Sequence, residues 1–281
     1  MSIGIVTDST CDLPEQLVAR HAISVVPLYI NVGGESYLDG VDLSRHEFYE
    51  RLPGWDSPPQ TAVPSPEVFR RIYERLADEG IAEILSIHIS ISLSATVDTA
   101  RLAAREMTSL PVRVFDGGQV SLGTGLLVLA AARAAAAGHS IDQIVELLDE
   151  KMLRTHVFAA LDTLEFLQRS GRMSWAVSKL GNVLRIKPLL KMHNGDPQIE
   201  RVRSSRRAVE RMMELVSDMG PLEELALIHT HAPEKLEVLY ERARHLFPAG
   251  KDPLRAEVTP VIGAHVGPGA VGFACVAASN G

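Results

Sequence analysis

Four hydroxyl side chains, Ser90, Ser92, Ser94 and Thr96, occupy alternate positions directly after the apolar run Ile81 to Ile89. The run has the length and β-branched content of a buried strand, and the residues from 97 onward follow a helical spacing. A helix that starts after such a loop leaves its first N–H groups without partners, and its dipole favours negative charge there. In an open parallel sheet the loop lies at the carboxyl ends of the strands, where ligands bind. The stretch therefore predicts a small oxyanion seat, although an ordinary Ser/Thr helix cap explains the same residues.

Two other patterns match known chemical motifs but lack the context that those motifs need. Gly267 to Gly272 has the spacing G-x-G-x-x-G, yet it precedes a strand-like run and only nine residues follow it. A dinucleotide fingerprint needs a preceding strand, a following helix and an acidic residue about 20 positions later. His229 and His231 would share one face of a strand, but no nearby Cys, Asp or Glu completes a metal-ligand set. With no P-loop, nucleophile elbow or zinc signature either, we expect no metal and no cofactor.

The composition predicts a globular cytoplasmic protein. Its 281 residues suffice for two domains, and 22 % charged with 46 % hydrophobic residues is typical of a folded chain. A net charge of −7 argues against binding to nucleic acid or to anionic membranes. Two distant cysteines, Cys11 and Cys275, fit a reducing compartment. The chain start has no signal-peptide pattern, and the most apolar run, Gly125 to Ala137, is too short for stable membrane insertion.

Strands and helices alternate through residues 1–154, which predicts an α/β domain with a mostly parallel sheet flanked by helices. The predicted strands are Ile3–Thr7, Ile23–Val32, Ile81–Ile89 and Val112–Asp116. Five prolines between Pro53 and Pro66 predict a stiff, irregular loop. A long alanine-rich helix follows the last strand, and Ser140 with Gln143 predicts a capped start for the next helix.

Residues 155–281 are predicted to form an α+β domain with a mixed or antiparallel sheet. Asn194-Gly195, between a strand-like run from Ile186 to Met192 and a second one, is a strong hairpin signal. Further strands are predicted from Leu254 to Val261 and from Ala270 to Ala277. Glycines and a proline between these two strands predict a rigid turn, which would carry His265.

Six short motifs, each weak by itself, occur in order along nearly the whole chain. They are DSTCDLP at 8–14, QTAVPSP at 60–66, LSAT at 93–96, LEFLQRSGR at 164–172, IKPLL at 186–190 and HVGPGA at 265–270. In this order they resemble the DegV family. The resemblance implies two α/β lobes with one long-chain fatty acid, such as palmitate, held between them. It also implies a lipid-binding subunit without catalytic residues of its own, which presents the acid to an ATP-dependent fatty acid kinase for acyl phosphate formation.

The resemblance assigns the fatty acid carboxylate to three side chains, Thr61, Ser94 and His265. It associates a fourth, Arg172, with contact to the partner kinase. This chain has Ala62 and Ala95 where the family pattern has serine and glycine.

The physical chemistry of a fatty acid agrees with such a site. Each buried methylene contributes about 0.8 kcal/mol, so the tail can supply most of the affinity. The carboxylate must be paired where it is buried, and two hydroxyls with an imidazole suffice if it stays partly accessible. Two other functions remain open. One is an acyl hydrolase with Ser94 as nucleophile and His265 as base, although no nucleophile elbow or orienting acid is identifiable. The other is a sensor of lipid state that uses the same site.

Overall fold

A computed structural model describes residues 2–172, 187–250 and 252–279 of the chain. The strands of its first half are β1 (Ile3–Asp8), β2 (Ser24–Val26), β3 (Tyr29–Val32), β4 (Glu35–Leu38), β5 (Gln60–Ala62), β6 (Glu83–His88) and β7 (Val112–Asp116). The helices there are α1 (Glu15–Arg20), α2 (Arg45–Arg51), α3 (Pro66–Asp78), α4 (Thr96–Glu106), α5 (Leu122–Ala136) and α6 (Ile141–Met152). Strands β2, β1, β6 and β7 form a parallel sheet in that spatial order. The predicted parallel sheet is therefore confirmed, as is the capping box of Ser140 and Gln143 before α6.

The other three strands form a small antiparallel sheet, in the order β4-β3-β5, that the sequence did not predict. The prediction of one strand from Ile23 to Val32 is wrong, because Pro27 lacks an N–H for a strand ladder and separates β2 from β3. The prediction of an irregular loop from Pro53 to Pro66 is wrong at β5, which contains no proline and pairs Thr61 with Ile30.

The second half contains the strands β8 (Thr155–Ala160), β9 (Lys187–His193), β10 (Asp196–Val202), β11 (Leu222–His229), β12 (Leu254–Glu257) and β13 (Val271–Ala277). Its described helices are α7 (Glu165–Arg169), α8 (Ser205–Ser217), α9 (Pro233–Ala243) and α10 (Pro260–Val266). The sheet order is β10-β9-β8-β13-β11-β12, and its pairs are antiparallel except for the parallel β11 and β12. The predicted hairpin at Asn194-Gly195 is confirmed, while Ile186 of the preceding predicted strand lies outside the described residues.

His265 lies in a helix and not in the predicted turn. The predicted strand from Leu254 to Val261 ends at Glu257, because Pro260 takes a position in the first turn of α10, where its missing N–H has no cost. Gly267, with a φ of 74°, ends the helix two residues after His265.

Helix α5 packs against both large sheets, contacting β1 and β6 of the first and β8 and β13 of the second. Its consecutive residues 126 to 129 are all buried, as expected for a helix that is covered on every side. The α/β fold with one parallel and one mixed sheet is thus confirmed. Within the described ranges, no helix has the length and apolar character needed to cross a bilayer.

Candidate functional site

A cavity of about 670 Å³ is lined by residues of the six-stranded sheet, of the small sheet and of the loops that follow strands of the parallel sheet. Its size falls in the range of small-molecule pockets. Apolar side chains form much of the wall, among them Leu28, Ile89, Val157, Leu190, Met192 and Ile228. The four residues that the sequence singled out, Thr61, Ser94, His265 and Arg172, all line this cavity. The fold therefore brings together residues that lie far apart in the chain.

Thr61 and His265 form a direct pair at the cavity wall. Thr61 lies in the short strand β5 and His265 in the last turn of α10, and Thr61 Oγ1 is 3.0 Å from His265 Nε2. The other ring nitrogen, Nδ1, is buried and has no hydrogen-bond partner among the described residues.

In either tautomer of the imidazole, the pair keeps one donor that it does not use itself. If Nε2–H donates to Thr61, the threonine hydroxyl proton remains for a ligand. If the hydroxyl donates to Nε2, the proton resides on Nδ1 and Nδ1–H remains. Because Nδ1 is buried, the donor that a bound acceptor can reach is the Thr61 hydroxyl, in the tautomer in which Nε2–H donates to it.

The imidazole of His265 is neutral at physiological pH. Burial lowers its pKa to about 4, and the positive charge of Arg172 acts in the same direction. The donors of this pair are therefore neutral, and the guanidinium of Arg172 lies close enough to lower the pKa of His265.

Ser94 lies where the loop after β6 enters α4. Its Oγ is 2.8 Å from Thr96 Oγ1 and accepts a hydrogen bond of 3.3 Å from Thr96 N–H. Ser94 thus satisfies one N–H at the helix start, although the N-cap residue itself is Ala95, and it also lines the cavity. Ala95 has a φ of −76°, a conformation open to any residue, so the alanine does not strain the loop.

Arg172 is exposed in the turn after α7. Its backbone N–H donates to Leu167 O at 3.1 Å, and its Nη1 donates to Ser170 O at 3.0 Å. Its neighbour in the motif, Arg169, instead pairs with Glu165 on α7. Of these two arginines, Arg172 is the one that lines the cavity.

The pairing of His265 bears on the hydrolase alternative. Among the described residues, its Nε2 contacts Thr61, no hydrogen bond joins it to Ser94, and no carboxylate orients its ring. A serine nucleophile needs a base within hydrogen-bond reach and a third group that orients the base. The described contacts of His265 do not include this arrangement.

Sequence reasoning missed a buried network between β1 and β6. Asp8 Oδ2 is 2.9 Å from His88 Nδ1, and His88 Nε2 is 2.7 Å from Ser86 Oγ. Burial alone would raise the pKa of Asp8, but the hydrogen bond and charge of His88 outweigh burial and lower it. All three side chains are fully buried, so the network ties two strands together without access to a substrate. The sequence does contain a sign of this network, because Asp8 and His88 are the last residues of two neighbouring parallel strands, whose carboxyl ends lie side by side.

Comparison with known proteins gives relatives over nearly the full length. A family model described as "Uncharacterised protein, DegV family" matches residues 2–278. A DegV domain-containing protein of Streptomyces coelicolor is 37 % identical over 273 residues, which cover 96 % of each chain. A Thermus thermophilus structure, described as fatty acid binding of a DegV family protein, aligns with a TM-score of 0.90 at 33 % identity, covering 99 % of this chain and 100 % of that one. Bacillus subtilis DegV, described as a fatty acid binding protein, aligns with a TM-score of 0.90 at 29 % identity, covering 98 % of this chain and 99 % of that one.

Proposed function

This chain belongs to the DegV family, and we propose that it binds one long-chain fatty acid in the cavity described above. Thr61, Ser94 and His265 hold the carboxylate, and the apolar wall holds the acyl chain. The acid then lies between two lobes, residues 1–154 and 155–281, which is the division that we propose from the sequence.

The pairing of Thr61 with His265 at the edge of an apolar cavity is the observation that carries this proposal. The Thr61 hydroxyl is free to donate when His265 Nε2–H donates to it, and Ser94 adds a hydroxyl beside the start of α4, where the helix dipole favours an anion. The binding of fatty acids by the Thermus thermophilus and Bacillus subtilis relatives supports the same ligand class.

The bound acid is presented to a partner and is not transformed by this chain. A carboxylate held by neutral donors keeps the negative charge with which it can attack a phosphoryl group. An ATP-dependent kinase that docks at the cavity mouth would then form the acyl phosphate. Exposed Arg172, which lies at the cavity and close enough to His265 to lower its pKa, is the residue that we propose for contact with this kinase.

The proposal includes a cytoplasmic location. Dependence on an ATP-consuming partner supports it, and so do the two cysteines, Cys11 and Cys275, which are buried and not disulfide-bonded.

Calorimetric titration of the delipidated protein with palmitate tests the proposal, with methyl palmitate as a matched ligand that keeps the chain and lacks the charge. We expect one palmitate site and an ester that binds at least about tenfold more weakly, because hydrogen bonds to a charged acceptor contribute about 1.5–3 kcal/mol. Equal affinity for acid and ester, or no binding of palmitate, contradicts the proposed carboxylate site.

A further inference from the structure

Three consecutive residues directly before α10 are each bound by a side chain from the first half of the chain. The contacts are those of the Arg45 guanidinium with Glu257 O, of the Tyr49 hydroxyl with Val258 O at 3.0 Å, and of Thr259 N–H with Asp12 Oδ1 at 2.8 Å. The helix that carries His265 therefore begins from a segment held by the opposite half of the molecule. We call residues 257–259 with these three side chains the clamp.

Tyr49 also touches α10 itself. A methyl group at Gly263 would lie 2.5 Å from Tyr49 Oη and 2.8 Å from Cζ, so the phenol packs against the bare backbone of the helix. Gly263 stands two residues before His265. The same tyrosine thus binds the segment before the helix and supports the helix.

The Tyr49 side chain is held in place from its other sides. Its ring packs edge-on against Phe48 at a centroid distance of 5.1 Å and stacks on His231 at 5.5 Å. The residue is buried, and burial raises the pKa of its phenol well above the usual value, with the charges of Asp12 and Glu257 adding to the effect. The hydroxyl therefore remains a proton donor throughout the range in which the protein is studied.

The position of α10 determines whether His265 reaches Thr61. Thr61 belongs to β5 of the small sheet, on the same half of the chain as Tyr49, whereas His265 belongs to the second half. We infer that Tyr49 is a positioning residue for His265, which sets the helix against the first half so that the imidazole meets Thr61 at 3.0 Å. The ligand role of this pair rests on the proposed function, but the positioning itself is a property of the ligand-free protein.

Nuclear magnetic resonance of the histidine side chains in the delipidated protein tests the positioning directly, with His265→Gln used to assign the His265 signals. Tyr49→Phe keeps the ring and removes the hydroxyl. Gly263→Ala keeps the hydroxyl and pushes the phenol away, although alanine favours a helix over glycine. In both variants we expect the pKa of His265 to move upward from about 4 toward 6.5, as α10 loosens and water reaches the ring.

The matched control is Gly54→Ala, because an added methyl at Gly54 has no atom within 4 Å. This variant should leave the His265 titration as in the wild type. If Tyr49→Phe and Gly263→Ala fold and also leave that titration unchanged, the positioning role is overturned.

A second arm measures palmitate affinity in a double-mutant cycle. Tyr49→Phe should weaken binding about 3- to 10-fold in the wild-type background, the effect of one lost hydrogen bond, and less than about 2-fold in the His265→Gln background. An equal loss in both backgrounds means that Tyr49 acts through the fold in general, which contradicts positioning. If the wild type binds no palmitate, the proposed function fails, and the histidine titration alone decides the positioning.

Discussion

Thr61 Oγ1 and His265 Nε2 lie 3.0 Å apart, although 204 positions separate the two residues in the chain. One belongs to a three-residue strand of the small sheet and the other to the seven-residue helix α10. Their contact forms a polar wall in a cavity that is otherwise largely apolar. The proposed carboxylate site depends on this contact, and the following predictions test its parts.

Removing a single hydroxyl should weaken fatty acid binding. For Thr61→Val and for Ser94→Ala, we expect a loss of about 1–3 kcal/mol, because each leaves a partly buried carboxylate short of one donor. Calorimetric titration with palmitate measures the loss. Thr99→Ala is the control, since Thr99 is half-buried on α4, donates to Ala95 O at 3.0 Å and is not part of the cavity lining. Unchanged affinity in both Thr61→Val and Ser94→Ala would reject these two residues as carboxylate ligands.

Acid should destabilise the ligand-free protein partly through His265. Its pKa is about 4 in the folded state against 6.5 in the unfolded chain, so between these values the unfolded chain binds the additional proton. The neutral imidazole makes its full contribution to the free energy of unfolding above pH 6.5, and this contribution is lost as the pH falls toward 4. The free energy of unfolding changes by about 3 kcal/mol over this range through His265 alone.

Denaturant unfolding of wild type and His265→Gln at several pH values checks this prediction. The free energy of unfolding should fall less steeply between pH 6.5 and 4 in the variant, by about 1–3 kcal/mol over the range. If the free energy of unfolding falls equally with pH in the wild type and in the variant, His265 does not titrate as a buried neutral group.

A buried carboxyl in the turn after β4 should have the opposite pH dependence. Asp39 is 3 % exposed, and neither of its carboxyl oxygens has a hydrogen-bond partner among the described residues. Burial is the main cause that raises its pKa to about 7. The charge of Asp12 adds to the increase, whereas nearby Ser9 lowers the pKa. The folded state therefore binds the additional proton, and the stability that this proton contributes is lost as the pH rises through 7.

Asp39→Asn removes that loss because an amide does not ionise. Relative to the wild type, the variant should gain about 2–4 kcal/mol in free energy of unfolding between pH 4 and pH 8. Chemical denaturation at the two pH values measures the gain. A stability difference that does not depend on pH would mean that Asp39 is already ionised in the folded protein at pH 4.

Arg172 and Arg169 provide a matched pair for the proposed partner contact. Arg172→Ala should bind palmitate with wild-type affinity and fail to support its phosphorylation by the cognate kinase, because Arg172 is exposed and lines the cavity. Arg169→Ala should support phosphorylation, since Arg169 pairs with Glu165 on α7. Radiolabelled phosphate transfer to the bound acid is the measurement. Normal turnover with Arg172→Ala would exclude the assigned role.

The sequence predicted the large elements better than it predicted the local structure around the proposed ligand residues. The long apolar runs of β1 and β6 are recognisable because a strand and a helix bury side chains with different periods. Thr61 was expected in an irregular loop, since the pairing of β5 with β3 joins residues far apart in the chain, such as Thr61 and Ile30, and leaves no local pattern.

The contact of Thr61 with His265 could not be derived from local patterns at all. It results from the packing of α10, where Tyr49, Asp12 and Arg45 of the first half bind residues 257–259. The helix itself escaped prediction because Gly263 weakens its helical signal, although the close approach of Tyr49 requires glycine at that position.

Mass spectrometry of the purified protein tests the central claim most directly. After delipidation and incubation with an equimolar mixture of palmitate and methyl palmitate, native spectra should show one palmitate per chain, released as free acid by organic extraction. The denatured protein should then have its unmodified mass, and Thr61→Val/His265→Gln should retain much less palmitate. A covalent acyl adduct on Ser94, or retention of the ester as strongly as the acid, would contradict binding and presentation of a free fatty acid by this chain.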